Sequence, residues 1–155
     1  MLLLALAVAA FPACDKDSPF GPDILPGLGL QAVRIGDEAK KAFDEYGPTP
    51  TAYIESNGQY IHILDYATLG IKILLEPTSS AAFDDKTKIK SFALDAPYSG
   101  KTAENIGLGS AKTEVRVAYG QPNLSDATTD TYTTLGIAFT YDAAEKSEGV
   151  GVSKF

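Results

Sequence analysis

The segment Tyr66-Ala67-Thr68-Leu69-Gly70-Ile71-Lys72-Ile73 returns 66 positions later as Tyr132-Thr133-Thr134-Leu135-Gly136-Ile137-Ala138-Phe139, with five of the eight positions identical. An internal repeat constrains a fold more tightly than composition does. Each copy of a small unit has an apolar side it cannot bury alone, so the copies must shelter one another. The residues upstream repeat as well. Aligning Tyr46-Gly47 with Tyr119-Gly120, 73 positions apart, brings Gly36 onto Gly109 and Asp37 onto Ser110. The first unit carries seven more residues between its Tyr-Gly and its Leu-Gly-Ile.

In each unit a helix comes first. Ala39, Ala42, Phe43 and Tyr46 fall at i, i+3, i+4 and i+7, and Ala111, Val115, Ala118 and Tyr119 form a similar stripe, which predicts two short amphipathic helices. Asp37 and Ser110 stand where a side-chain oxygen caps the first turn, and Gly47-Pro48 and Gly120-Gln121-Pro122 end each helix. Helices this short are marginal alone and must draw stability from packing.

Strands follow. Asn57-Gly58 between alternating runs predicts a two-residue hairpin turn, with Ser56 facing Gln59, Ile54 facing Ile61 and Ala52 facing Ile63. The aliphatic side of that hairpin is expected to meet the first helix, which leaves Tyr53, Tyr60 and His62 as an aromatic cluster on the sheet face away from the helices, a candidate binding surface. Further strands are expected at Leu69 to Leu75, Lys88 to Leu94 and Val150 to Phe155, with a loop from Pro77 to Asp85. A glycine at both Gly70 and Gly136 implies a bulge or a close backbone approach. Matching Phe155 to Phe92 implies that the chain ends where a strand still runs. The fold class is therefore α+β: two tandem helix-then-antiparallel-strands repeats, 28–95 and 96–155, sharing one sheet with the helices on one face.

Residues 1–13 carry no charge and are rich in Leu, Ala and Val, which suits a secretory signal and is too short to span a bilayer. Phe11-Pro12-Ala13-Cys14 before Asp15-Lys16-Asp17 resembles the lipobox of bacterial lipoproteins, in which the cysteine is acylated. The alternative is cleavage after Ala9, with Cys14 a free thiol on a periplasmic or secreted protein. Residues 14–27 read as a Pro- and Gly-broken tether.

Chemistry is constrained by scarcity. Cys14 and His62 are the only cysteine and histidine, which leaves no disulfide, zinc site or Cys/His pair, and the chain has no G-x-S-x-G elbow or P-loop. Asp126 and Asp130 face a cation or, as is far commoner for such loops, water. A net charge of −7 argues against nucleic acid. No catalytic residue, cofactor or metal is expected.

Gly107-Leu108-Gly109-Ser110-Ala111-Lys112-Thr113-Glu114-Val115 through Gly120-Gln121-Pro122 resembles the helix-then-G-x-P signature of envelope lipoproteins of the SmpA/OmlA type and of the beta-lactamase inhibitor protein. The chain also resembles bacterial lipoproteins with tandem YG-x-P and LGI-x-F units. These resemblances imply helices set against an antiparallel sheet and a non-enzymatic cell-envelope lipoprotein, membrane-anchored through Cys14, that binds an envelope protein or supports an assembly. A single cysteine excludes the inhibitor's disulfides. Inhibition of an envelope hydrolase, or binding of a small ligand, is the alternative function.

Overall fold

The computed structural model of the chain describes residues 23–154. The expected signal segment, Cys14 and the tether as far as residue 22 lie outside the described residues. The fold is α+β. Two eight-residue helices, α1 (Ala39–Tyr46) and α2 (Lys112–Tyr119), accompany an eight-stranded antiparallel sheet, and a small ribbon of β1 (Ile24–Leu25) and β2 (Gly29–Leu30) precedes them. The large sheet is built from β3 (Thr51–Ser56), β4 (Gln59–Tyr66), β5 (Ile71–Leu75), β6 (Ile89–Leu94), β7 (Leu124–Ser125), β8 (Thr129–Tyr132), β9 (Ile137–Tyr141) and β10 (Ser147–Ser153). Among the described residues no helix is long and apolar enough to cross a membrane.

Strand order is β3-β4-β5-β6-β10-β9-β8-β7, so the two ends of the chain's strand runs meet in the middle and the first strand of each run lies at an edge. At the join Val150 opposes Leu94 and Val152 opposes Phe92. Cross-strand partners share a face. Leu64, Ile73, Phe92, Val150 and Phe139 therefore lie on one side, each 2% exposed or less. Burying side chains of this size contributes at most about 1.5 to 3 kcal/mol apiece, so this face is the main source of stability.

Both helices lie on that face. Ala39, Ala42 and Val115 are fully buried, Tyr46 packs edge-on against Tyr66 at 5.4 Å, and Tyr119 meets Tyr132 at 5.5 Å. Between them runs the segment from Asp23 to Ile35, with Gly29 against the Phe92 ring and Ile24, Leu30 and Val33 buried. The tether expected to reach residue 27 thus stops short of Asp23. Ile24 donates its N–H to Lys101 O (3.0 Å) and Gly27 donates to Gly136 O (3.1 Å), because apolar Ile24, Leu30 and Val33 have a core within reach.

The helix starts are held differently from expectation. Asp37 and Ser110 do not cap them; Glu38 and Ala111 occupy the N-cap positions without a side-chain cap bond. Carbonyls from distant loops take over: Ala39 N–H donates to Thr87 O (2.9 Å) and Lys112 N–H to Glu145 O (2.9 Å). The residues just before each helix are stitched to the strand closing its half. Gly36 N–H donates to Ile89 O (2.8 Å) and Ile89 N–H to Asp37 O (2.8 Å); Gly109 N–H donates to Ser147 O (2.7 Å) and Ser147 N–H to Ser110 O (2.9 Å). Freed from capping, the Asp37 carboxylate accepts from Arg34 N–H (2.7 Å) and from Lys41 Nζ (2.8 Å), while Ser110 Oγ accepts from Gly107 N–H (3.2 Å).

The hairpin register is as expected, with Asn57 and Gly58 both at positive φ. Two other expectations shift. The strand expected from Leu69 starts at Ile71, because Ala67–Leu69 form a 3₁₀ turn that Gly70 ends in the left-handed region. In the last strand, Val150 faces Phe139 as Phe92 faces Ile73, so the counterpart of Phe92 is Val150 and not Phe155, which lies outside the described residues.

The close approach expected of the repeated glycine is real at both positions. A Cβ at Gly70 (φ 67°) overlaps Asp95 O and Tyr98 N; one at Gly136 (φ 71°) overlaps Ser153 O and Gly27 Cα. Gly58 (φ 72°), in the hairpin turn, has the same handedness but open space around its Cα. Replacement by alanine therefore separates conformation from crowding. Gly58→Ala should cost about 1 kcal/mol in urea unfolding. Gly70→Ala and Gly136→Ala should each cost about 2 kcal/mol more, the backbone having to move aside.

Candidate functional site

Tyr53, Tyr60 and His62 come together, but on the opposite side of the sheet from the one expected. Tyr53 and Tyr60 meet edge-on at 5.3 Å and Tyr53 and His62 at 5.8 Å; the chain of rings continues through Phe83 (5.7 Å from His62) to Phe43 of α1. His62 is only 2% exposed, its Nε2 is 3.3 Å from Ser80 O, and Tyr53 alone is open to solvent at 52%. The reason lies in strand period. β4 runs on to Tyr66, and Leu64 and Tyr66, both buried beneath the helix layer, share the parity of His62 and Tyr60. Ile61 and Ile63 are thereby turned outward. These aromatics close the end of the core.

The helix-free face is accordingly aliphatic. Ile54 is 53% exposed and sits opposite half-buried Ile61; Ile63 and Leu74, also half-buried, face each other one strand further in. Towards the centre the face is paved with small residues, Ala93 and Ala138 flanking Gly151, so the backbone is open to close approach. Lys72 and Asp95 form an ion pair at 2.8 Å beside this smooth strip. None of these residues is fully buried.

The candidate carboxylates are engaged elsewhere. Asp126 accepts from the N–H groups of Thr128 and Thr129, both at 2.8 Å, which holds its carboxyl below the usual range and shapes the β7–β8 turn. Asp130 is fully buried. It takes both Arg116 Nε and Nη2 at 2.8 Å, Ser125 Oγ at 2.6 Å and Tyr141 Oη at 3.3 Å, and the Arg116 bonds hold its carboxyl low despite burial. Among the described residues no cluster of His, Cys, Asp or Glu is arranged to hold a metal ion, and the clefts are open ones of about 340 to 540 Å³. Among the described residues the perturbed carboxylates, Asp37, Asp126 and Asp130, are all shifted towards ionisation rather than towards the protonated state of a general acid.

Among the described residues, one buried side-chain polar atom has no partner. Tyr66 Oη forms no hydrogen bond, whereas the hydroxyl of Tyr132 donates to Gly120 O at 3.2 Å. Sequence reading passed over Tyr66 because a tyrosine in an apolar strand reads as core. Its place beneath the C-terminus of α1 is a tertiary fact.

Because the Asp130 pKa is lowered on folding, its contribution to stability is present above the ordinary carboxylate value and is lost as pH falls through the lowered one. Arg116→Met, which leaves that carboxylate buried and unpaired, should cost about 3 kcal/mol at neutral pH. The deficit should shrink by about pH 3, where protonation removes the stranded charge, as read from urea unfolding at both pH values.

Compared with protein-family models, curated proteins and solved structures, the chain matches none.

Proposed function

We propose that the chain is a tandem duplication working as a non-enzymatic cell-envelope lipoprotein, one that binds another protein through the helix-free face of its sheet. Duplication is supported by bonds that recur at matched positions. The stitches of Gly36 and Gly109, the loop carbonyls of Thr87 and Glu145 and the tyrosine pairs at 5.4 and 5.5 Å occupy equivalent places in the two halves. The halves have diverged beneath their helices. Phe43 and Leu64 in the first stand where Arg116 and Asp130 stand in the second, two apolar residues exchanged for an ion pair.

The observation that carries the binding reading is the uncovered face itself. Helices and the Asp23-to-Ile35 segment all gather on one side, and the other presents Ile54, Ile61, Ile63 and Leu74 beside a strip of small residues. Exposed apolar area of this kind marks interaction surfaces, and small residues admit a flat partner. A protein is the occupant this face fits: the acidic chain repels phosphate backbones. Open clefts and ionised carboxylates speak for the same reading over a hydrolytic one. Inhibition of an envelope hydrolase would use this face too, and is the alternative.

The full-length chain, immobilised, should retain a partner from detergent-solubilised bacterial envelopes. Ile61→Lys should abolish that retention and Val117→Lys, on the 87% exposed site of α2, should preserve it. Equal retention by both variants would remove the sheet face from consideration. For the anchor, cells fed an alkyne fatty acid should label the full-length chain, and Cys14→Ser should lose the label. Labelling that persists in the serine variant would place acylation elsewhere.

A further inference from the structure

β3 forms one edge of the large sheet, and each of its residues from Thr51 to Ser56 is exposed, so it overhangs the helix layer. Its ladder to β4 is unbroken from Thr51 opposite Leu64 to Ser56 opposite Gln59. The direction of its backbone groups follows from β4. Tyr60 exchanges both bonds with Thr78 (2.7 and 3.0 Å) on the side of β4 away from β3, so Glu55 and Tyr60 are a non-hydrogen-bonded pair of the β3–β4 ladder. Alternation then turns the N–H and C=O of Thr51, Tyr53 and Glu55 outward. Among the described residues no backbone group meets them there.

Exposed strand edges are ordinarily blunted by shortness, by a lysine or proline, or by a bulge. The opposite edge is blunted in this way, β7 being two residues long. β3 carries none of these devices: Thr51-Ala52-Tyr53-Ile54-Glu55-Ser56 is regular and holds no proline, lysine or arginine. Its two large side chains, Tyr53 and Ile54, are 52% and 53% exposed and stand on opposite faces of the edge. Tyr53 also ends a row of edge-on rings that runs from Phe43 through Phe83 and His62. Beyond Tyr53 that row stops at solvent.

We propose that β3 pairs with β3 of a second copy of this chain, joining the two sheets across a two-fold axis. Such an axis, normal to the sheet, makes the pairing antiparallel and keeps the helix-free faces of both copies on one side. Opposed residues must then share a face, which leaves few registers. With Tyr53 opposite Tyr53, Thr51 meets Glu55 and every outward-turned residue of β3 finds a partner. With Ile54 opposite Ile54, Thr51 falls against the Asn57 turn; with Ala52 opposite Ala52, Glu55 runs past the end of the strand; with Glu55 opposite Glu55, like charges meet. The first register alone satisfies the edge. It sets Ala52 beside Ile54 and leaves Glu55, the one charge on β3, facing an uncharged threonine. It also brings Tyr53 to its own mate, so that the two rows of rings join on the helix side. A second copy thus matches this edge in register, charge and side-chain type, and the short β7 edge ends the assembly at two copies.

Sedimentation of the full-length chain from about 10 µM to about 1 mM should show a monomer–dimer equilibrium and nothing larger. Amide hydrogen exchange reads the register. Thr51, Tyr53 and Glu55 should exchange more slowly as the dimer fills, while Ala52 and Ile54, bonded to β4 in either state, should not change. Tyr53→Glu sets like charges on the axis and should weaken the dimer about tenfold, with the thermal midpoint of the dilute monomer kept. Glu55→Pro removes an outward N–H without touching the β4 ladder and should weaken it as well. Ile61→Lys, on the face assigned above to another protein, should leave the dimer intact, so this pairing and that reading stand or fall separately. Slowed exchange that is independent of concentration would assign the edge to a segment of the same chain and overturn the proposal. So would a chain that stays monomeric throughout, an assembly larger than a dimer, a dimer that survives both Tyr53→Glu and Glu55→Pro, or one lost in Ile61→Lys.

Discussion

The antiparallel pairing of β6 with β10 makes one sheet out of two runs of strands, and the rest of the structure hangs on it. Each run alone would leave its last strand with a row of unpaired backbone groups and half of its apolar surface wet. Setting Leu94 beside Val150 and Phe92 beside Val152 removes both defects at once. The join also builds a continuous floor on which two helices, each too short to persist alone, find a surface. Because the central strands come last in each run, this contact is also long-range: Leu94 and Val150 are distant in the chain. The helices cannot be fully stabilised until it forms.

Around that join the backbone is drawn unusually close. Gly70 and Gly136 turn the chain from a short turn into β5 and β9 at positive φ, and the carbonyl of each accepts from the end of β10 or the residue just after β6: Asp95 N–H donates to Gly70 O at 3.0 Å and Ser153 N–H to Gly136 O at 3.1 Å. What crowds each glycine differs. Pro97 and Tyr98 sit over Gly70, whereas Gly27 from the start of the described chain sits over Gly136. The segment beginning at Asp23 thus docks in the second half although it belongs to the first in sequence, and it bonds to Lys101 between the halves. It ties the two together independently of the sheet.

Gathering every covering element on one side has a consequence for the other. The helix side takes its stability from aliphatic and aromatic packing in the first half and, in part, from the pairing of half-exposed Arg116 with buried Asp130 in the second. A buried carboxylate with a two-point guanidinium contact orients α2 over β8 more sharply than an apolar contact does, though its net energetic gain is small. The helix-free side is left with Ile54 exposed and Ile61 and Ile63 half-buried, the apolar area on which the proposed binding rests. In the first half, the Tyr66 hydroxyl has no hydrogen-bond partner among the described residues, whereas its counterpart Tyr132 reaches Gly120 O.

Element types, the hairpin register and the need for glycine at Gly70 and Gly136 were legible from residues alone, because period, turn chemistry and chirality act over a few neighbours. The same local rules misplaced Tyr53, Tyr60 and His62. The hairpin's alternation states which residues share a side but not which side meets the helix; that was decided further along β4, by Leu64 and Tyr66 reaching the core. Caps went astray for a like reason: Asp37 and Ser110 have the right chemistry, but the carbonyls of Thr87 and Glu145, far off in sequence, arrive at the helix starts first. The sequence by itself determined α+β secondary structure and strand alternation, which are short-range properties of the chain. Which face was buried, where the segment from Asp23 lodged and which polar atoms lacked a partner were settled only by tertiary structure, since each depends on what a distant segment brings alongside.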